Sequence, residues 1–144
     1  MKSFTKTIAV AFILVAGTAF ATEGVTDPDV MARQALMGTI AGNAKILGEM
    51  AGGKTAFDAA IAAKAKADMV AAAADIPAKF KPEATDPKSK AKAEIWTNWD
   101  DFVAKSEMLL TAAEALDPSS AETIGAGMAG IGGACKSCHT TYQN

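Results

Sequence analysis

Three breaks, Gly52-Gly53, Ile76-Pro77 and Asp117-Pro118, divide a chain whose apolar residues otherwise recur every three or four positions. A chain cut this way buries those residues by packing helical segments side by side. Abundant Ala, Met and Leu, with few β-branched or aromatic residues, adds to the helical preference. The first segment has Asp27 as N-cap and Pro28 at its first position, and its seam reads Val30, Arg33, Met37, Ile40, Ala44, Leu47. The second opens at Thr55, whose hydroxyl can cap with Asp58 three residues on, and runs to about Asp75, with Phe57, Ile61 and Val70 on a mostly alanine face. The third runs from about Ser89 to Leu116 and places Ile95, Trp99, Phe102, Ser106, Leu109, Ala113 and Leu116 on one stripe. The fourth starts at Ser119, with Glu122 completing a capping box, and its stripe is Ile124, Met128, Ile131, Cys135, Cys138, Tyr142. No segment reads as a strand. Short connections predict an all-α, antiparallel up-down-up-down four-helix bundle. The one long linker holds Pro77, Pro82 and Pro87 among Lys79, Lys81, Lys88, Lys90 and Lys92, and reads as a solvated loop.

Ahead of this domain, Lys2 and Lys6 precede the apolar run Ile8 to Gly17 and the small-residue pattern Ala19-Phe20-Ala21. That order is a secretory signal peptide over residues 1–21, leaving 22–144 as one exported domain, expected in the periplasm. Nothing later is apolar enough for a membrane span, which takes roughly 20 apolar residues. Losing Lys2 and Lys6 with no acid leaves 12 of the 14 basic residues against 16 acidic ones, a formal charge of −4. Such a balance argues against nucleic acid and leaves a basic redox partner protein open.

The soft-ligand chemistry of the chain lies within five residues, Cys135-Lys136-Ser137-Cys138-His139, which hold both cysteines and the single histidine. This is the C-x-x-C-H pattern of covalent c-type haem attachment. Two thiols one helical turn apart can each form a thioether to the same porphyrin edge, and the adjacent imidazole then reaches the iron. A structural zinc site needs about four ligands, and neither a second histidine nor a third cysteine exists. A redox dithiol belongs at the N-terminus of a helix in a βαβ unit, whereas this motif closes the last helix of an all-α chain. Incidental buried cysteines would not explain the clustering. Glycines 125, 127, 130, 132 and 133 in the same helix each cost up to about 1 kcal/mol relative to alanine. Either a flat macrocycle lies against a backbone stripped of side chains, or the helix is loosely wound.

Arg33 is the charged member of the first seam, and an unpaired charge there is costly. The start of the first helix lies beside the end of the fourth in an antiparallel bundle, so Arg33 can approach the propionates of a haem held at His139, or snorkel to solvent instead. Gln34 beside it is a second candidate cofactor contact. The other axial position of the iron decides function. Met37, one turn after Arg33 on the same seam, is better placed for it than Met31, off the stripe, Met50, roughly 20 Å further along the axis, or Met128, about 16 Å of helix from His139. Met37 either ligates through its thioether or is ordinary core shielding an open iron face.

Taken together, these residues resemble the cytochrome c′ family and its low-spin relative cytochrome c-556. The likeness covers essentially all of the mature chain: Arg33-Gln34-Ala35-Leu36-Met37, Phe80 with its prolines, Glu94-Ile95-Trp96 with Phe102, and Gly132-Gly133-Ala134-Cys135-Lys136-Ser137-Cys138-His139 with Tyr142. It implies a four-helix bundle, often a homodimer, with one covalent haem c near one end, His139 as proximal ligand, Arg33 near the propionates and Met37 at the distal position. That position is a ligating methionine in cytochrome c-556 members, and leucine, phenylalanine or a non-ligating methionine in cytochrome c′ members. The stretch Asn43 to Met50 is more similar to the low-spin branch. One departure is Gln143, where many members carry a basic residue associated with nitric oxide chemistry. The expectation is therefore a single-electron carrier with His139 and Met37 as axial ligands and no enzymatic activity. Its alternative is a five-coordinate protein binding nitric oxide or carbon monoxide, and a haem-free thiol oxidoreductase is a third reading.

Overall fold

The computed structural model describes residues 24–144, so the expected signal peptide lies outside the described residues. Helices form at α1 (Pro28–Ala51), α2 (Ala59–Ala74), α3 (Ile76–Phe80), α4 (Glu94–Thr97), α5 (Trp99–Ala115) and α6 (Ala121–Tyr142). The four long ones make the expected bundle, each packed on two others in the ring α1, α2, α5, α6. Gly48 faces the Met128 methyl and Gly125 faces Ala51, so the end of α1 meets the start of α6 and the two run antiparallel. No strand occurs among the described residues, apart from one antiparallel bridge between Ala91 and Gln143.

Helix starts follow the capping chemistry, with shifts from the expected positions. Asp27 caps α1, its carboxylate accepting from the Asp29 and Val30 N–H groups. Asp58, not Thr55, caps α2 in the same way, because a carboxylate at the last extended residue reaches two free amides. Phe57 and Ile61 then fall on the outer side, 39% and 50% exposed, rather than in the seam. The last helix begins one residue later than expected, with Ser120 as N-cap and Thr123, not Glu122, closing the box, since its hydroxyl accepts from the Ser120 N–H. Expected helix from Ser89 is absent before Glu94: residues 81–93 run as an open strap, and Asn98 separates α4 from α5.

Burial follows the stripes closely. Val30, Arg33, Ile40 and Leu47 of α1, Ile95 of α4, Phe102, Ser106, Leu109 and Ala113 of α5 and Ile124, Ile131 and Tyr142 of α6 are buried, with Leu116 just beyond α5. Phe102 sits at the centre of the haem-motif end, with ring centroids of Phe80, Tyr142 and Trp99 at 5.1, 5.4 and 5.6 Å. Aromatic pairs at such spacings add about 0.5–1.5 kcal/mol beyond their buried area.

Candidate functional site

Where α1 starts and α6 ends, the bundle leaves a cavity of about 310 Å³, close to the lower limit of roughly 300 Å³ usual for ligand pockets. Its walls are mainly apolar, from Val30, Phe80, Ile95 and Phe102. Five of the six residues singled out by sequence border it: Arg33, Gln34 and Met37 from α1, and Cys138 and His139 from α6. Cys135 is one turn back on α6, half-buried, and does not border the cavity. The glycines of α6 do not line it. Side chains added at Gly132 or Gly133 would meet open space, whereas one at Gly127 would lie 3.2 Å from Leu116. Close packing against Leu116 thus explains Gly127, and nothing in the cavity explains Gly132 and Gly133.

The strap closes the outer side, contributing Lys88, Ser89, Lys90 and Ala91. Main-chain bonds hold it at both edges. Lys92 N–H donates to Tyr142 O at 3.0 Å and Asn144 N–H to Lys90 O at 2.9 Å, beside the Ala91–Gln143 bridge. On the α1 side, Gln34 Nε2 donates to Lys88 O at 3.1 Å and Arg33 Nη2 to Ala84 O at 2.7 Å. Asp86 accepts from the N–H groups of Thr26, Asp27 and Lys88, and these bonds hold its carboxyl down at about 2. Sequence offered no sign of this closure, because its partners lie some 50 residues apart and mostly use backbone atoms.

Arg33 is 3% exposed, with its guanidinium carbon 5.5 Å from the Phe80 ring centre and 5.2 Å from that of Trp96. Burial lowers its pKa, opposed by the negative charges of Asp27 and Asp29. The Trp96 indole N–H is tied to Phe80 O at 2.9 Å, which fixes one wall of this slot. Even so, Arg33 Nη1 and Gln34 Oε1 are buried with no partner. Gln34 cannot turn its amide over, because Lys88 O accepts only. An unmet donor on a buried cation beside an apolar cavity calls for an anionic group within it, and a propionate supplies one.

Both thiols are unpaired and half-buried. Burial raises the pKa of each; at Cys138 the Lys105 ammonium pulls the other way, while Cys135 and Asp101 push further up. Activated redox thiols have depressed values, and burial shifts both of these thiols the other way. No group of three or more His, Cys, Asp or Glu side chains able to hold a bare metal ion occurs among the described residues. The donor set fits a haem: two thiols a turn apart, an adjacent imidazole, a thioether and a cation on the facing helix, and apolar walls between.

Comparison with known proteins agrees with this chemistry. Residues 29–143 match the family described as Cytochrome C'. Cytochrome c-556 of Agrobacterium tumefaciens (strain apple 185) is 38% identical over 116 residues, covering 78% of this chain and 91% of the relative. Cytochrome c-556 of Agrobacterium fabrum is 33% identical over 99% of this chain and 97% of its own. The solved structure of cytochrome c′ from Rhodopseudomonas palustris superposes with a TM-score of 0.74 at 25% identity, over 83% of this chain and 98% of that one. With cavity, donor set and relatives in agreement, the chain belongs to the cytochrome c′ family, as an electron-carrying c-type haem protein whose cofactor is covalent, iron-containing haem c.

Proposed function

We propose that this protein is a periplasmic single-electron carrier of the low-spin kind, with thioethers at Cys135 and Cys138, His139 as proximal ligand and Met37 as the second axial ligand. The observation that carries the reading is that Met37 and His139 stand on facing antiparallel helices and border one cavity. When bound, haem supplies a one-electron couple at its iron. Arg33 holds the propionate end, with Gln34 beside it. Phe80, Ile95 and Phe102 exclude water, and the strap shuts the outer side. Two protein ligands retained in both oxidation states keep reorganisation on electron transfer small. Both Agrobacterium relatives carry the name cytochrome c-556, which fits a ligating Met37. Export through residues 1–21 belongs to the same proposal, and no described helix is long and apolar enough to cross a membrane. So does a homodimer, for which exposed Ile46, Phe57 and Ile61 on the α1–α2 side offer apolar area.

Optical spectra of the purified oxidised and reduced protein test the ligation. A low-spin parent that turns high-spin in Met37→Ala is the expected result. A high-spin parent sinks the low-spin reading and favours five-coordinate gas binding, with Met37 as a steric plug.

A further inference from the structure

Charge is unevenly divided along the bundle. At the end away from the cavity, where α1 and α5 finish and α2 and α6 begin, Glu49, Asp58, Glu114, Asp117 and Glu122 outnumber Lys45, Lys54 and Lys64 by two, half of the net charge of −4 in residues 22–144. At the cavity the balance differs. The residues bordering it include the cations Arg33, Lys88 and Lys90 and no acid. Lys88 and Lys90 are exposed, and neither makes an ion pair among the described residues. Exposed Lys136 stands one turn before His139, and exposed Lys81 lies over the Trp99 ring at 4.8 Å. By contrast, Lys79 and Lys105 are neutralised by Asp75 and Asp101 at 3.5 and 3.8 Å. Asp86, the acid nearest Lys88 in sequence, is turned onto main-chain N–H groups. Two of the five lysines read from sequence as a solvated loop, Lys88 and Lys90, therefore rim the mouth of the cofactor site, on a backbone pinned at Lys88 O and Lys90 O.

We infer that this rim, centred on Lys88 and Lys90 with Lys81 and Lys136 at its edge, is the docking surface for the redox partner, and that the partner presents an acidic surface to it. This rests on the carrier reading above. It also departs from the basic partner that net charge alone left open. A basic partner would be drawn to the acidic end, the far side of the bundle from the cofactor. An acidic one is oriented by the charge asymmetry to meet the mouth first. Local potential governs steering within a Debye length of about 10 Å at 0.1 M salt, so the rim outweighs the remote acids once the surfaces approach.

The test uses the haem-loaded full chain and two small oxidants of opposite charge, hexacyanoferrate(III) and tris(phenanthroline)cobalt(III). In each reaction the reduced protein loses one electron and the oxidant gains it, giving hexacyanoferrate(II) or the cobalt(II) complex. Rates are corrected for any change in reduction potential, measured separately. At low salt, Lys88→Glu/Lys90→Glu is expected to lower the ratio of anion to cation rates about tenfold, with the effect fading at high salt. Lys88→Gln/Lys90→Gln should move it the same way by less. The reference variant, Glu114→Lys/Glu122→Lys, shifts net charge by an equal amount in the opposite direction at the far end and should leave the ratio within about twofold. A polyglutamate peptide should slow oxidation by hexacyanoferrate in the parent and not in the glutamate variant. A ratio unmoved by the rim substitutions, or moved as far by the distal pair, overturns the proposal. So does a shifted potential with an unchanged ratio, which would assign the lysines to the propionates. A high-spin spectrum would defeat the Met37 ligation without touching this comparison, because both oxidants take the electron from outside the cavity.

Discussion

Tyr142 shows how much one side chain does at the cavity end. It is 3% exposed, lines the cavity, sets its ring edge-on to Phe102 and donates its hydroxyl to Asp101 at 2.5 Å. Burial, then the bond to Asp101 and the charges of Asp101 and Cys138, raise its pKa to about 12. A raised value means that the neutral phenol stabilises the fold fully below pH 10, the ordinary value, and that this contribution is lost as pH climbs towards 12. Urea midpoints measured at pH 9 and pH 11.5 should therefore fall more in the parent than in Tyr142→Phe. At neutral pH the same substitution should cost about 1 kcal/mol, the net value of a buried hydrogen bond. An equal alkaline loss in both proteins would deny Tyr142 the role. Neither the bond nor the shift was legible beforehand, since Tyr142 and Asp101 are 41 positions apart. Cys135, Cys138 and His139 were legible because covalent attachment imposes a spacing on consecutive residues. Met37 and Arg33 were legible because helical periodicity and antiparallel order together carry them to the same end.

Among the elements, α6 departs furthest from expectation. Its glycines left open a flat group laid along the backbone or a loosely wound helix, yet their surroundings differ, with Gly125 and Gly130 in ordinary contact with Ala51 and Ala112. Gly127 is pressed against Leu116, while positions 132 and 133 face open space. Gly132→Ala should raise stability by up to about 1 kcal/mol through helix propensity alone, in haem-loaded and haem-free protein alike. Gly127→Ala should gain nothing or lose, because a methyl 3.2 Å from the Leu116 side chain makes that buried residue give by a few tenths of an ångström. Urea unfolding of the two variants checks the contrast, and a Gly132→Ala penalty confined to the loaded form would restore the macrocycle to that face. Helix existence was readable from the breaks, whereas helix starts were displaced where two residues compete for one cap. Asp58 prevails over Thr55, and Ser120 with Thr123 over Ser119 with Glu122. The strap was the harder case. A helix was expected from about Ser89, but the Lys92 N–H is engaged with Tyr142 O, and that tertiary bond overrides local preference.

For the molecule as a whole, the bundle forms a nearly complete core around Leu47, Met69, Phe102 and Ile131 and leaves one end unfinished. Haem-free protein made as Cys135→Ser/Cys138→Ser should keep its helices, seen by far-ultraviolet circular dichroism. It should lose at least about 3 kcal/mol against the loaded form, since a cavity of about 310 Å³ and a buried guanidinium donor without a partner are both left unmet. Urea unfolding of both forms, with near-ultraviolet dichroism reporting Trp96 and Trp99, measures the difference. Equal stability would mean that the apo core is already complete. The strap that closes this end is fastened chiefly through peptide groups, at Ala84, Lys88, Lys90, Ala91 and Lys92. Peptide groups are the same whatever side chain they carry, proline excepted. Mutation can therefore rewrite the charges at 88 and 90 without loosening the fold, and a lineage could exchange one electron-transfer partner for another while its haem environment stays unchanged.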